Sequence, residues 1–193
     1  MKKSEIRSVI KARRNSLSQE EVDLFSKNCF DHLLNKFNFE NKNIGIFFPI
    51  KKFNEPNTFL FFDSLKIRHS NVYAPISDFI TNEMNFYLIE SISDLQVNDY
   101  GIPEPQSQNK PQIESLDFLL VPLLAINKSG FRVGYGKGFY DKFLMNFNGK
   151  TITIGVNLMS DFVEIENLDS NDIPLDYCVS PNGIVCFNDK GLL

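Results

Sequence analysis

The chain has 193 residues, is 42% hydrophobic and carries a net charge of −4, so one sizeable core is within reach and a surface built for nucleic acid is not. No stretch approaches the ~20 apolar residues of a membrane helix, and the basic N-terminus lacks the apolar run of a leader. Three widely spaced cysteines, Cys29, Cys178 and Cys186, make neither a disulfide framework nor a zinc cluster, so a soluble protein of the reducing cytoplasm is expected, as one domain over residues 1–193.

The first segment reads as a helix capped by Ser4, with Ile6, Val9 and Ile10 at i, i+3, i+4 and with Lys3, Arg7, Lys11 and Arg14 on a shared basic face. Ser18 opens a second helix through a capping box with Glu21, followed by an apolar stripe of Val22, Phe25, Cys29, Leu33 and Phe37. The period then changes. Residues 44–50 form a nearly continuous apolar run, as in a strand buried on both faces. Residues 57–68 read as helix, 72–76 and 84–89 as strands, and 101–112 as a loop. The run 118–126 is the strongest strand pattern. A helix over 139–147, a strand over 151–158 and a last short strand at IVCF complete the series. Alternating strands and helices indicate an α/β fold with a mainly parallel sheet.

The informative segment runs from Gly130 to Asp141. It follows a buried strand and leads into a helix. Glycines at 130, 134, 136 and 138 leave N–H groups unshielded and permit positive φ. Such a turn at a helix N-terminus suits an anion, and Arg132 and Lys137 add positive charge. Asp141 would repel a bare phosphate, but fits if a cation such as magnesium lies between them. The spacing is neither a Walker motif nor a dinucleotide fingerprint, so it leaves tight packing open as an alternative.

The run GFRVGYGKGFYDKFL resembles the signature of 5-formyltetrahydrofolate cyclo-ligases, the 5,10-methenyltetrahydrofolate synthetases. Five further segments agree in order: Lys3 to Arg7; Phe47 to Ile50 with Glu55; Gly101 to Pro105; Asp117 to Ala125; and Asp172 to Asp176. The resemblance implies a three-layer α/β/α sandwich and ATP- and magnesium-dependent cyclisation of 5-formyltetrahydrofolate, with no nucleic-acid or membrane partner and a monomeric state. By the same resemblance Lys3, Arg7, Arg132, Val133, Gly134, Tyr135, Gly136, Lys137, Gly138, Phe139 and Tyr140 would meet ATP. Arg132 and Lys137 would stabilise the charge that develops in phosphoryl transfer. Ile50, Glu55, Tyr135 and Phe139 would face the folate, and Asp141 and Asp172 would hold magnesium.

Plainer readings stand beside these. Lys3 and Arg7 also suit a solvated helix face, Arg132 an ion pair, and Asp172 a turn before Pro174. Phe47 and Phe48 read more readily as core than as ligand wall. Three departures from the family pattern are the spacing before Glu55, Asn127, which stands where the family usually has Asp, and the lack around Asn157 to Asp161 of the family's Gln. A sugar-phosphate isomerase of similar architecture and a binding module without turnover are the rival functions.

Overall fold

A computed structural model describes residues 1–106, 115–146 and 150–190. Seven strands form the main sheet: β1 (Asn43–Gly45), β2 (Asn71–Asp78), β3 (Glu83–Ile89), β6 (Phe118–Pro122), β9 (Ile152–Val156), β10 (Tyr177–Ser180) and β11 (Gly183–Cys186). Two ribbons complete the strands, β4 (Leu95–Val97) with β5 (Pro103–Pro105), and β7 (Ala125–Ile126) with β8 (Arg132–Val133). The sheet order is β11-β10-β9-β6-β1-β2-β3; its five inner strands run parallel, and the two edge strands are antiparallel to their neighbours.

Strand β6 shows why a parallel centre needs cover on both sides. Phe118 and Leu120 enter a cluster with Phe30 and Leu33 of α2 (Gln19–Lys36) and Phe61 and Leu65 of α3 (Phe59–Ile67). Leu119 and Val121 point the other way, into a cluster bordered by Phe143 and Leu144 of α4 (Phe139–Asn146). Helices therefore cover both faces. The phenylalanine bias is spent largely in the first cluster, where Phe37, Phe39, Phe61, Phe118 and Tyr177 meet mostly edge to face. The sheet is tight at Gly155, where a Cβ would stand 2.5 Å from Leu123 Cδ2.

Several elements differ from the sequence reading. Helix α1 (Lys3–Asn15) begins one residue before Ser4, and its first turn is closed by the Lys2 N–H donating to Glu5 Oε2 at 2.9 Å. The Ser18–Glu21 capping box is present as read. The apolar run 44–50 is strand only to Gly45; Phe47 to Ile50 then leave the sheet, with the Phe47 carbonyl taken by the Thr58 hydroxyl and Pro49 offering no N–H. The run 118–126 breaks at Leu123 and Leu124 into β6 and β7. The expected loop 101–112 contains β5, and its residues 107–112 lie outside the described ones, as does Phe147 of the expected helix. Strand β10 had escaped notice, although the Asn182-Gly183 pair at the turn that joins it to β11 is a hairpin signal.

Candidate functional site

After β1 the chain builds β2 and β3 on one side, and β6, β9 and β10 on the other. The order therefore reverses between β1 and β6, and the carboxyl ends of strands at such a point part to leave a crevice. A cavity of about 940 Å³ opens there, lined by Phe47, Phe48, Ile50, Glu55 and Pro122. The rest of its wall comes from α1, the β2–β3 turn, Tyr100 to Pro103, the glycine-rich turn with α4, and Asp169 to Asp172. Its basic residues, Lys3, Arg7, Lys11, Lys52, Arg132, Lys137 and Lys142, outnumber its acids, Glu55, Asp141, Asp169 and Asp172. An acidic protein thus carries a locally positive pocket suited to an anion.

The glycine-rich turn lies between β8 and α4. At Gly136 φ is +99°, and a Cβ there would stand 3.3 Å from Arg7 Cζ. Glycine therefore serves both the backbone and the approach of the guanidinium. Arg7 Nε donates to the Gly134 carbonyl at 2.8 Å, which docks α1 on the turn. Lys137 is exposed, with Nζ 6.0 Å from the Phe79 ring centre.

Below the turn, Arg132 is 7% exposed and paired with Asp141, Nη2 to Oδ1, at 2.8 Å. The Ile173 peptide closes the arrangement: its carbonyl accepts Arg132 Nη1 at 2.8 Å and its N–H donates to Asp141 Oδ1 at 3.2 Å. Burial draws the Arg132 guanidinium below its ordinary pKa, opposed chiefly by Asp141, then by Tyr140 and Asp172. Lys3 Nζ pairs with Asp172 Oδ2, the oxygen that also accepts the Asp169 N–H at 2.7 Å.

The wall beside the turn is apolar and aromatic. Phe79 stacks on Tyr100 with centroids 3.9 Å apart, and Phe139 meets Phe79 edge-on at 5.1 Å. Glu55 also lines the cavity; it is 4% exposed, and its Oε2 accepts the Ile50 N–H at 2.7 Å. Burial lifts its carboxyl above the usual carboxylate range; the Ile50 N–H, the Tyr135 hydroxyl and the Arg14 charge oppose that lift. The Tyr140 hydroxyl is enclosed without a hydrogen-bond partner among the described residues, and burial pushes its pKa well up.

Among the described residues no three His, Cys, Asp or Glu side chains group as a metal site. Asp141 and Asp172 flank Arg132, and Asp141 Oδ2 and Asp172 Oδ1 take part in none of the bonds above. Two carboxylates in the wall of a basic cavity fit magnesium, which binds through one or two protein carboxylates plus phosphate oxygens and water.

The family model of the 5-formyltetrahydrofolate cyclo-ligase family matches residues 1–181. This chain belongs to that cyclo-ligase family. Members are enzymes that make 5,10-methenyltetrahydrofolate. The Haemophilus influenzae 5-formyltetrahydrofolate cyclo-ligase is 32% identical over 180 residues, which cover 90% of this chain and 95% of that one. The Aquifex aeolicus 5,10-methenyltetrahydrofolate synthetase superposes with a TM-score of 0.81 at 28% identity, over 100% of this chain and 96% of its own. The Mycoplasma pneumoniae synthetase gives 0.74 at 25%, over 94% and 99%. The α/β fold with its mostly parallel seven-stranded sheet matches these structures.

Every residue to which the resemblance gives a nucleotide, folate or metal contact lines this one cavity except Val133, which is fully buried with Ile6, Ile10 and Leu124. Phe47 and Phe48 are core residues that also reach the cavity. Asn127 lies outside the wall. Its Oδ1 accepts the N–H groups of Ser129 and Phe131, both at 2.9 Å, and so shapes the β7–β8 turn. Asp176 is structural, accepting the Thr153 N–H and hydroxyl, both at 2.8 Å. Sequence reasoning placed Arg14 on the basic face of α1. It is buried instead with Ile6 and Ile10, and the i, i+4, i+8 spacing of these three was the available signal. Phe53, Phe79 and Tyr100 were missed as wall residues because they stand in no family motif quoted above.

Proposed function

We propose that this chain cyclises 5-formyltetrahydrofolate to 5,10-methenyltetrahydrofolate with ATP and magnesium, releasing ADP and phosphate. One observation carries the reading: a basic glycine-rich turn and an aromatic wall line the same cavity of about 940 Å³. The turn, with Arg7 docked on it, receives the triphosphate on main-chain N–H groups from 134 to 138. The wall of Ile50, Phe139 and Tyr135, backed by Glu55, receives the flat pterin.

The formyl oxygen attacks the γ-phosphorus and ADP leaves. The neighbouring 10-position nitrogen then attacks the activated carbon and loses its proton, and phosphate departs with that proton as the ring closes. Such transfer needs alignment and charge neutralisation more than a protein nucleophile. Arg132 and Lys137 oppose the charge that develops on the transferring group. Asp141 and Asp172 would hold magnesium, which would supply neutralisation of phosphate charge. Lys3 and Arg7 complete the nucleotide end. A monomer of the reducing cytoplasm completes the proposal, and the free thiols of Cys29, Cys178 and Cys186 suit that compartment.

The rival of a binding module without turnover drew on Asn127 and on the spacing before Glu55. Asn127 lies outside the cavity and Glu55 inside it, so neither feature favours that rival. Purified protein should convert 5-formyltetrahydrofolate into a species with the absorbance of the methenyl product, with no conversion when ATP or magnesium is omitted. Binding of both substrates without conversion would overturn the reading.

A further inference from the structure

The basic residues of the cavity wall are not equally engaged. Arg132 pairs with Asp141 and Lys3 with Asp172, Arg7 bonds the Gly134 carbonyl, and Lys142 donates to the Thr81 carbonyl at 3.0 Å. Lys137 stands on the glycine-rich turn itself. Lys11 and Lys52 remain, and among the described residues neither has an ion-pair or hydrogen-bond partner. Both ammonium groups lie against aromatic rings instead. Lys11 Nζ is 5.3 Å from the Phe53 ring centre and 5.5 Å from that of Tyr135, and Lys52 Nζ is 5.0 Å from Phe53. Phe53 and Tyr135 are themselves stacked, with centroids 5.3 Å apart and planes 25° from parallel. An aromatic face steadies an ammonium but leaves its charge uncompensated.

The fold builds this arrangement from two elements. Lys11 follows Arg7 by one helical turn on the face of α1 that lines the cavity, about 6 Å further along the helix. Lys52 and Phe53 belong to a single 3-10 turn, Lys51–Phe53, closed by Asn54 in the left-handed conformation with φ at +44°. Asn54 Nδ2 donates to the Arg14 carbonyl at 2.8 Å and to the Leu17 carbonyl at 3.1 Å, which ties this turn to the end of α1. Two cations are thereby held around one ring, beside Tyr135.

A folate ends in a glutamate, joined to the pterin through a p-aminobenzoyl ring, and that glutamate carries two carboxylates. The nucleotide already has the glycine-rich turn, Arg7, Arg132 and Lys137, so the anionic charge still unmatched lies on the folate. We infer that Lys11 and Lys52 form an anion subsite separate from the phosphate turn, which takes the glutamate carboxylates while the p-aminobenzoyl ring lies against the Phe53–Tyr135 stack. This rests on the folate reading of the adjoining wall.

The test compares the full chain with Lys11→Met, Lys52→Met and the double variant, which keep the apolar stems and remove only charge. Equilibrium dialysis reads the binding of 5-formyltetrahydrofolate and of the N-methylamide of 5-formyltetrahydropteroic acid, which lacks both carboxylates. Each single variant should weaken 5-formyltetrahydrofolate binding about three- to fivefold and the double variant about tenfold, as expected for partly exposed ion pairs. Binding of the amide and KM for ATP should each stay within about twofold. Lys11→Arg and Lys52→Arg, which keep the charge, should hold most of the affinity. Equal losses for both compounds, or no loss for either, overturn the inference. A loss confined to ATP assigns the lysines to the nucleotide and overturns it too. Dialysis needs no turnover, so the two readings separate. A wild type that makes no methenyl product ends the cyclisation reading, while the inference stands or falls on the ratio of the two affinities. A wild type that holds neither compound overturns the folate wall and the subsite together.

Discussion

Arg132 Nη2 stands 2.8 Å from Asp141 Oδ1, and the Ile173 peptide bonds both partners. The pair is a cation and an anion held together in the cavity wall, with the cation the deeper of the two. Arg132→Ala leaves Asp141 unpaired and removes charge from the transferring phosphoryl group. Turnover should fall by roughly ten- to a thousandfold. Stability should fall by about 1–3 kcal/mol, below a fully buried pair because Asp141 keeps part of its exposure. Steady-state rates and urea unfolding measure the two effects. A full rate with reduced stability would make Arg132 purely structural.

Asp141→Ala tests the carboxylate from the other side. It should raise the magnesium concentration needed for half-maximal rate by about tenfold or more, since magnesium draws on few protein carboxylates. An unchanged magnesium titration would remove Asp141 from the metal.

Glu55 carries a pH signature. Burial lifts its carboxyl, so the native chain binds more protons there than the unfolded chain does. Its contribution to stability therefore declines as pH rises from the ordinary carboxylate value through the raised one. Glu55→Gln removes that dependence and can still accept the Ile50 N–H. The variant should gain on the wild type as pH rises from about 5 to about 8, while its affinity for the folate drops. Urea midpoints across that range check it; a wild type that gains on the variant over the same interval contradicts it.

How much of this was legible beforehand follows from the length scale of each signal. The glycine-rich turn, Arg132 and Asp141 are adjacent in the chain and carry a dense motif, so their grouping was readable. The α2 capping box was equally local. The end of β1 at Gly45 was not, because Phe47 to Ile50 are as buried as a strand while serving a crevice wall; burial alone does not distinguish the two. The Lys3–Asp172 and Arg14–Tyr135 contacts join residues 169 and 121 positions apart, and only the packing of α1 on the turn creates them. Arg14 shows the risk of reading charge as exposure.

Gly136 joins backbone conformation to substrate affinity. An alanine there must hold φ near +99° and displace Arg7, at a cost of about 1–2 kcal/mol. Gly136→Ala should raise KM for ATP about tenfold and affect the folate KM less. Equal effects on both substrates would place the turn outside the nucleotide site.

The most direct measurement is a structure of the full chain with a non-hydrolysable ATP analogue and magnesium. The triphosphate should lie on the N–H groups between Gly134 and Gly138, with Arg132 at the γ-phosphate and the metal shared with Asp141. A nucleotide bound elsewhere, or a turn closed over by its own side chains, would contradict the account.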